Sequence, residues 1–404
     1  MALPETPTRA PAGISNRLVW LLAVATGVTV ASNYYVQPLL AEIRHSFGVG
    51  SGAAGLVVTA AQVGYVLGLV FLVPLGDLLE RRRLVLVMSL VTAAGLVGAA
   101  CSTQLWMLYV FAATAACTSV VAQVLVAFSA TLAGDAERGR VVGTIMSGLL
   151  LGILLARTVA GYVAAATSWR GVYLMAAGLM AVMAFVLWRS LPRYPRQTEL
   201  SYQQGLASVL AIFRREPVLR RRSMLGGLSF AAFSVLWTSL AFLLSAGPYH
   251  YGAGTIGLFG LAGAAGALMA SVAGRLADKG LQALVTVITA LAIFGGYALL
   301  WAEPRLLLGV ILGIVILDVG CQGMHITNQS EIYKLGEARS RVNSAYMTCY
   351  FIGGTIGSVG SALIFAAYGW HGVAALGAGI GLLTLLLSLT EGRFRRLQKA
   401  LAEA

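Results

Sequence analysis

Charged side chains are scarce in this sequence. Asp, Glu, Lys and Arg make up only 11% of its 404 residues, where a soluble domain carries about 25%. That shortage excludes a soluble enzyme, a disordered chain and a nucleic-acid reader. Acidic groups are the scarcer kind, 15 against 28 bases, which gives a formal charge of +13. The bases come in short bursts between long apolar runs, the pattern of a membrane protein's cytoplasmic loops. Cysteine is limited to Cys101, Cys117, Cys321 and Cys349, each within or at the end of an apolar run. They read as small core residues, which excludes a disulfide framework. There is no Gly-x-x-x-x-Gly-Lys-Ser/Thr loop, so ATP is not the energy source. No cofactor and no resident metal are expected.

What is abundant is apolar length. A helix needs about 20 mostly apolar residues to cross the hydrocarbon core. Twelve such runs occur, at approximately 18–40, 54–76, 84–101, 105–131, 141–165, 171–188, 222–246, 254–274, 281–301, 305–329, 342–367 and 370–389. The runs are continuous, whereas barrel strands would be about ten residues long and alternating. The first is read as a span and not a cleaved signal, since no clear small-residue cleavage site follows it. With the N-terminus placed in the cytoplasm, 24 Lys and Arg fall in cytoplasmic segments and 3, Arg44, Arg170 and Arg305, in external loops. Both termini are therefore expected in the cytoplasm, in a multi-pass protein of a bacterial-type inner or plasma membrane.

The chain repeats. Asp77 and Asp278, Arg138 and Arg339, Arg140 and Arg341, Trp169 and Trp370, and Gly171 and Gly372 are all separated by 201 residues. Two six-helix halves related by an axis along the membrane normal are a transporter architecture. The expected division is an N-terminal bundle at 1–188, a cytoplasmic linker at 189–221, and a C-terminal bundle with its tail at 222–404. Within the linker Leu206, Val209, Leu210 and Phe213 recur at helical spacing. They predict a short amphipathic helix on the inner leaflet, with Arg214 and Arg215 near lipid phosphates; a solvated linker is the alternative.

These residues also carry a resemblance. Gly274-Arg275-Leu276-Ala277-Asp278-Lys279-Gly280 resembles the loop signature of the major facilitator superfamily. Val73-Pro74-Leu75-Gly76-Asp77 through Arg83 is its N-terminal copy. That copy keeps the Asp and the trailing Arg residues but departs at Val73, Leu78 and Glu80. The stretch from Asn33 to Leu40 is similar to the first helix of bacterial sugar and nucleoside efflux permeases within that superfamily. The resemblance implies an all-α integral membrane protein, with twelve transmembrane helices in two pseudo-symmetric six-helix bundles. It also implies a cytoplasmic gate that ties the halves together in the outward-open state. Asp77 with Arg81 and Arg140, and Asp278 with Arg341, are its candidate members; topogenic or solvated charges are the alternative.

Apart from Tyr and Cys, three ionisable side chains lie well inside the runs: Arg157, Asp318 and His325. Such residues are costly in the bilayer and functional candidates by default. Asp318, Gln322, His325 and Gln329 are spaced to share one face of the tenth span. The superfamily's first, fourth, seventh and tenth helices line its central cavity. Here they offer Asn33, Tyr34 and Gln37, then Gln123, then Trp237, with Tyr346 and Tyr350 added by the eleventh. Amides, phenols and indole with few charges suit a neutral polar or amphiphilic solute, though amides and Tyr also bind helices to one another. Arg157 either neutralises a buried carboxylate or holds an anion. Asp318 is expected to carry the transported proton, with His325 passing it on or binding substrate. A multidrug antiporter fits less well, since the fifth span lacks the Gly-Pro signature and the fourth an internal Arg. Gly148, Gly152, Gly353, Gly357 and Gly360 are expected where the halves meet. Cys321, Met324 and His325, with Met347 and Cys349 nearby, raise a soft-metal transporter, but they share a face less well than the polar stripe.

The expected function is secondary active transport, a proton-coupled exporter of a small polar or amphiphilic organic solute working by alternating access. The alternatives are a proton-coupled importer and, from another class, a non-transporting membrane sensor or an enzyme. The expected partners are a small-molecule substrate, protons and the lipid bilayer, with no nucleic acid and a monomeric chain.

Overall fold

A computed structural model describes residues 14–133, 137–193, 202–263, 266, 272–273, 275–276, 279–335 and 339–390. Every regular element among them is helical. Among the described residues nine helices are long and apolar enough to cross a membrane. One of these, within Arg339–Leu389, is two spans in series, broken where Gly369 turns to φ 64° and ψ −156°. Only glycine takes such a conformation without a Cβ penalty. Two shorter apolar helices, Asn16–Ala31 and Ala253–Ala262, complete the twelve runs of the sequence.

Several spans are irregular, and the irregularities sit beside polar residues. The first run is not one helix. It stops at Ala31, turns through residues 32–36, makes a 3-10 turn at Gln37–Leu39 and restarts as Leu40–Phe47. Pro38 has no N–H to continue an α-helical ladder, so Asn33 and Gln37 do not sit on one continuous helical face as their spacing predicts. The fourth span is divided into Leu105–Ser119 and Val121–Leu132. The second ends in a π-helical turn, Gly68–Leu72, ahead of Pro74.

Glycines set the closest helix approaches, and the structure corrects their expected place. Gly148 and Gly152 of the fifth span pack against Ala23 and Gly27 of the first. Gly353 and Gly357 of the eleventh pack against Gly227 and Ala231 of the seventh, and Gly360 faces Leu376 of the twelfth. All five therefore hold helices together within a half. The seam between halves uses other small residues. Gly52 and Gly55 of the second span meet Ala362 of the eleventh, and Gly161 of the fifth meets Ala253 and Gly257 of the eighth. Small side chains let two backbones close to direct contact. Hydrogen bonds reinforce the seam: Thr59 Oγ1 with Ser358 Oγ at 3.0 Å, Gln62 Nε2 to Ser234 Oγ at 3.0 Å, and Thr158 Oγ1 to Gly257 O at 3.0 Å.

Between the halves lies the helix Tyr202–Arg215. Ile212 is buried, Val209 and Phe213 pack on the core, and Leu210 is 50% exposed. The Tyr202 hydroxyl donates to Phe71 O, inside the π-helical turn, at 3.0 Å. The next helix, Pro217–Ser245, starts earlier than its apolar run, with Pro217 in its first turn. Arg222, assigned by sequence to the boundary of the linker, is consequently interior and 1% exposed. It reaches Thr286 Oγ1 at 3.1 Å, Asn328 Oδ1 at 3.3 Å and Glu331 Oε2 at 3.8 Å. This buried cation joins the seventh, ninth and tenth spans, and its partners offset the desolvation that an unpaired buried guanidinium would suffer.

Candidate functional site

A cavity of about 280 Å³ lies between the halves. The tenth span, Leu307–Ile332, lays Gln322, His325 and Gln329 along one side. Phe230 and Phe233 of the seventh span form much of another, and Tyr350 and Phe351 of the eleventh continue it. The first half contributes Tyr34, Tyr65, Gln123 and an aliphatic stretch from Met146 to Ile153. The cavity runs on to Val142, Tyr333 and Asn343, close to the helix starts at Arg138 and Arg339. At the opposite end the glycine seam is shut. The protein is thus closed at the end carrying Arg44, Arg170 and Arg305, and its cavity extends toward the base-rich end.

The sealed end is capped by a buried cluster. Arg157 and Asp318 are each 2% exposed. Arg157 Nε donates to Gln37 Oε1 at 2.6 Å. Its guanidinium lies 3.8 Å from the centroid of the Trp237 ring, with Tyr34 and Phe233 at 5.1 and 5.4 Å. Nη2 of Arg157 makes no hydrogen bond. The Trp237 indole N–H donates to Asp318 Oδ1 at 3.4 Å. No carboxylate among the described residues comes within ion-pair distance of Arg157. An aromatic cage with one amide acceptor therefore holds this cation, and Asp318 approaches it across the indole. Gly263 of the eighth span closes over Asp318; a Cβ there would lie 3.0 Å from Oδ2.

The predicted residues divide into three groups. Tyr34, Gln123, Gln322, His325, Gln329 and Tyr350 line the cavity. Gln37, Arg157, Trp237 and Asp318 form its cap, so Asp318 is separated from the amide stripe it shares a helix face with. Asn33 and Tyr346 stand outside the cavity: Asn33 Nδ2 donates to Ser119 Oγ at 2.9 Å, and the buried Tyr346 hydroxyl meets His325 Nδ1 at 3.0 Å. Sequence reasoning missed Tyr65, Phe230, Phe233, Phe351 and Asn343, and named Met347 only beside a candidate soft-metal set. Phe230, Phe233 and Trp237 stand at i, i+3 and i+7 on one helix, so that aromatic stripe was open to the same periodicity argument.

Of the gate candidates, Arg81 is buried, donates to Gly76 O and Thr131 Oγ1 at 2.9 Å each, and lies over the Phe128 ring. Arg140 is exposed and reaches Asn16 Oδ1 at 3.1 Å and Glu137 at 3.5 Å. All these partners belong to the first half. Arg341 is half-buried at the start of the eleventh span. Asp278 and the Asp77 side chain lie outside the described residues. Among the described residues no group of three His, Cys, Asp or Glu side chains is placed to hold a metal ion.

The family model described as Major Facilitator Superfamily matches residues 22–358. An uncharacterized transporter of Escherichia coli O157:H7, YgaY, is 51% identical over 93% of this chain and 95% of its own length. A Helicobacter pylori protein (strain 26695) named "Probable sugar efflux transporter" is 23% identical over 91% of this chain and 93% of its own. Two solved structures share the fold at low identity. One is a bacterial homologue of the human lysosomal transporter Spinster in an inward-facing, unoccupied conformation (TM-score 0.73, 12% identity, 92% of this chain and 94% of that one). The other is a D-xylose–proton symporter (TM-score 0.72, 14% identity, 93% and 97%).

Proposed function

The chain belongs to the Major Facilitator Superfamily, a family of transporters and not of enzymes, and from that premise we propose that it exports a small polar or amphiphilic organic solute in exchange for protons by alternating access. One observation carries the proposal. A solute-sized cavity lies between two halves that are sealed at one end, and at that seal sits Asp318, the one carboxylate among the described residues less than a tenth exposed. The distribution of Lys and Arg makes the sealed end external and both termini cytoplasmic, so this is the inward-facing state of the cycle. Solute enters the cavity from the cytoplasm. The halves then rock, the seam of Gly55 with Ala362 and Gly161 with Gly257 parts, and the base-rich end closes. In that opposite state Asp77 and Asp278 would draw on Arg81, Arg140 and Arg341 to hold the cytoplasmic end shut.

Asp318 is the proton carrier in this scheme. In the sealed state its carboxyl is away from water; opening the seam exposes it to the outer solution, where a proton can be exchanged. The name of the Helicobacter pylori relative supports outward transport. The experiment is solute flux in proteoliposomes. An imposed pH gradient should drive solute against its own gradient, and a protonophore should abolish that accumulation. Flux indifferent to the protonophore and to the pH gradient would remove proton coupling.

A further inference from the structure

One side of the cavity is a polar strip on the tenth span: Gln322, His325 and Gln329 follow one another along a single helix face, while Tyr34, Tyr65, Gln123, Tyr333, Asn343 and Tyr350 place further polar groups around the lining. Seven residues separate the first from the last, so at 1.5 Å per residue the strip is about 10 Å long. The side chains of Gln322 and Gln329 make no hydrogen bond with any described residue, and both residues are half-buried. His325 uses Nδ1 on the Tyr346 hydroxyl, which leaves Nε2 as the ring nitrogen able to meet a ligand. Amide groups present a donor and an acceptor side by side.

The walls beside this strip are aromatic and aliphatic. Phe233, Phe230 and Tyr350 form a run of nearly parallel rings, with centroid separations of 5.6 and 4.2 Å and interplanar angles of 16° and 17°. Phe351 crosses Phe230 edge-on at 4.9 Å and continues the wall to Tyr65 at 4.3 Å. Met146, Leu149, Leu150 and Ile153 face it from the fifth span. Among the described residues no Asp, Glu, Lys or Arg lines the cavity: Arg157 and Asp318 lie in the cap, and Arg222 is engaged with Thr286, Asn328 and Glu331. A sugar, polar around its whole rim, would turn some hydroxyls to Phe230, Phe233, Phe351 and the aliphatic residues, which offer them no partner. An organic ion would meet no counter-charge among the described lining residues.

We propose that the substrate is an uncharged, planar aromatic or heteroaromatic solute with an amide-like donor–acceptor edge, its ring against the Phe230–Phe233–Tyr350 wall and its edge on Gln322, His325 and Gln329. This rests on the reading of the cavity as the transport site. Gln322 is the specificity-determining residue. It stands nearest the cap, about one turn from His325, whose ring meets Tyr350 of the wall at 4.5 Å. An aromatic solute that pairs its edge there leaves no polar group unsatisfied, whereas a ring without such an edge gains only the wall.

The test is binding to the purified full chain by calorimetry or thermal shift, with three probe sets: benzamide and 2-quinolone; benzoate and benzylammonium; D-xylose and lactose. The neutral aromatic amides should stabilise the protein and the other two sets should not. Gln322→Leu keeps the side-chain size and should weaken benzamide binding about tenfold, while toluene binding stays within twofold. Phe233→Leu should weaken both. Stabilisation by the sugars or the ions alone, or by none of the six probes, overturns the proposal, as does equal loss of benzamide and toluene on Gln322→Leu. Proteoliposome flux of whichever probe binds separates the two levels. Benzamide binding without pH-driven flux leaves the site's chemistry standing and sinks proton-coupled export. PH-driven flux of a sugar does the reverse.

Discussion

The seam at the sealed end can be tested with one methyl group. At Gly257 an added Cβ would lie 2.5 Å from Arg157 O and 3.1 Å from Gly161 Cα. Both neighbours are backbone atoms of the fifth span, so no side-chain rotation can relieve the contact. Overpacking of this kind costs about 1–3 kcal/mol. The cost falls only on the state in which the fifth and eighth spans touch. Gly257→Ala should therefore leave the protein folded and move its population toward the externally open state by about 5- to 150-fold. The reporter is Ser358→Cys, placed where the seam's hydrogen bond to Thr59 now sits, in a background with the exposed Cys101 replaced by serine. An impermeant thiol reagent added outside should modify this cysteine slowly in the parent and at least fivefold faster with Gly257→Ala. Gly178→Ala is the control, since a Cβ at Gly178 meets nothing within 4 Å; it should change helix propensity alone. An unchanged rate in Gly257→Ala, or an equal rise in Gly178→Ala, would refute the reasoning.

Other consequences follow from the same geometry. Native Cys101 is exposed in the loop before the fourth span, on the side assigned as external, so the impermeant reagent should label it in intact cells. Ala207→Cys on the linker helix should be labelled only after permeabilisation. Arg222→Met should lower thermal stability, because it leaves Glu331 in a partly buried site. The cost of breaking a fully buried pair is about 3–5 kcal/mol, an upper bound here because Glu331 also meets Lys334; adding Glu331→Gln should restore part of the loss. Tyr346→Phe removes the partner of His325 Nδ1 and should cost about 0.5–1.5 kcal/mol, read as a lower melting temperature with substrate binding weakened by the freed ring.

The fold was legible because membrane spans need little beyond apolar length and a recurring offset of charged loop residues. Arg222 shows where that logic stops. Hydropathy sees an Arg at the edge of a polar stretch, while the helix starts at Pro217 and carries the side chain inward to Thr286, Asn328 and Glu331, all far from Arg222 in sequence. The glycines failed for a related reason. Gly148 and Gly353 advertise close approach but not the partner, and the partners turned out to be the first and seventh spans. The eighth span's glycines recur every third residue at 254, 257, 260, 263 and 266, a spacing that matches the 3-10 turn following its first helix; the first three face the fifth span across the seam and the last two face the tenth. At the site, helical periodicity placed Gln322, His325 and Gln329 together. It could not separate Asp318 from them, because the separating atoms belong to Trp237 and Gly263 on other helices.

The claim at the centre of this account is that Asp318 moves the proton and the cavity moves the solute. Flux in proteoliposomes bearing Asp318→Asn tests it most directly. Accumulation driven by a pH gradient should be abolished, while solute binding and solute exchange without a gradient persist. Gradient-driven accumulation that survives the substitution would contradict the assignment, and loss of binding and exchange together would make Asp318 a residue of the solute site or of the fold.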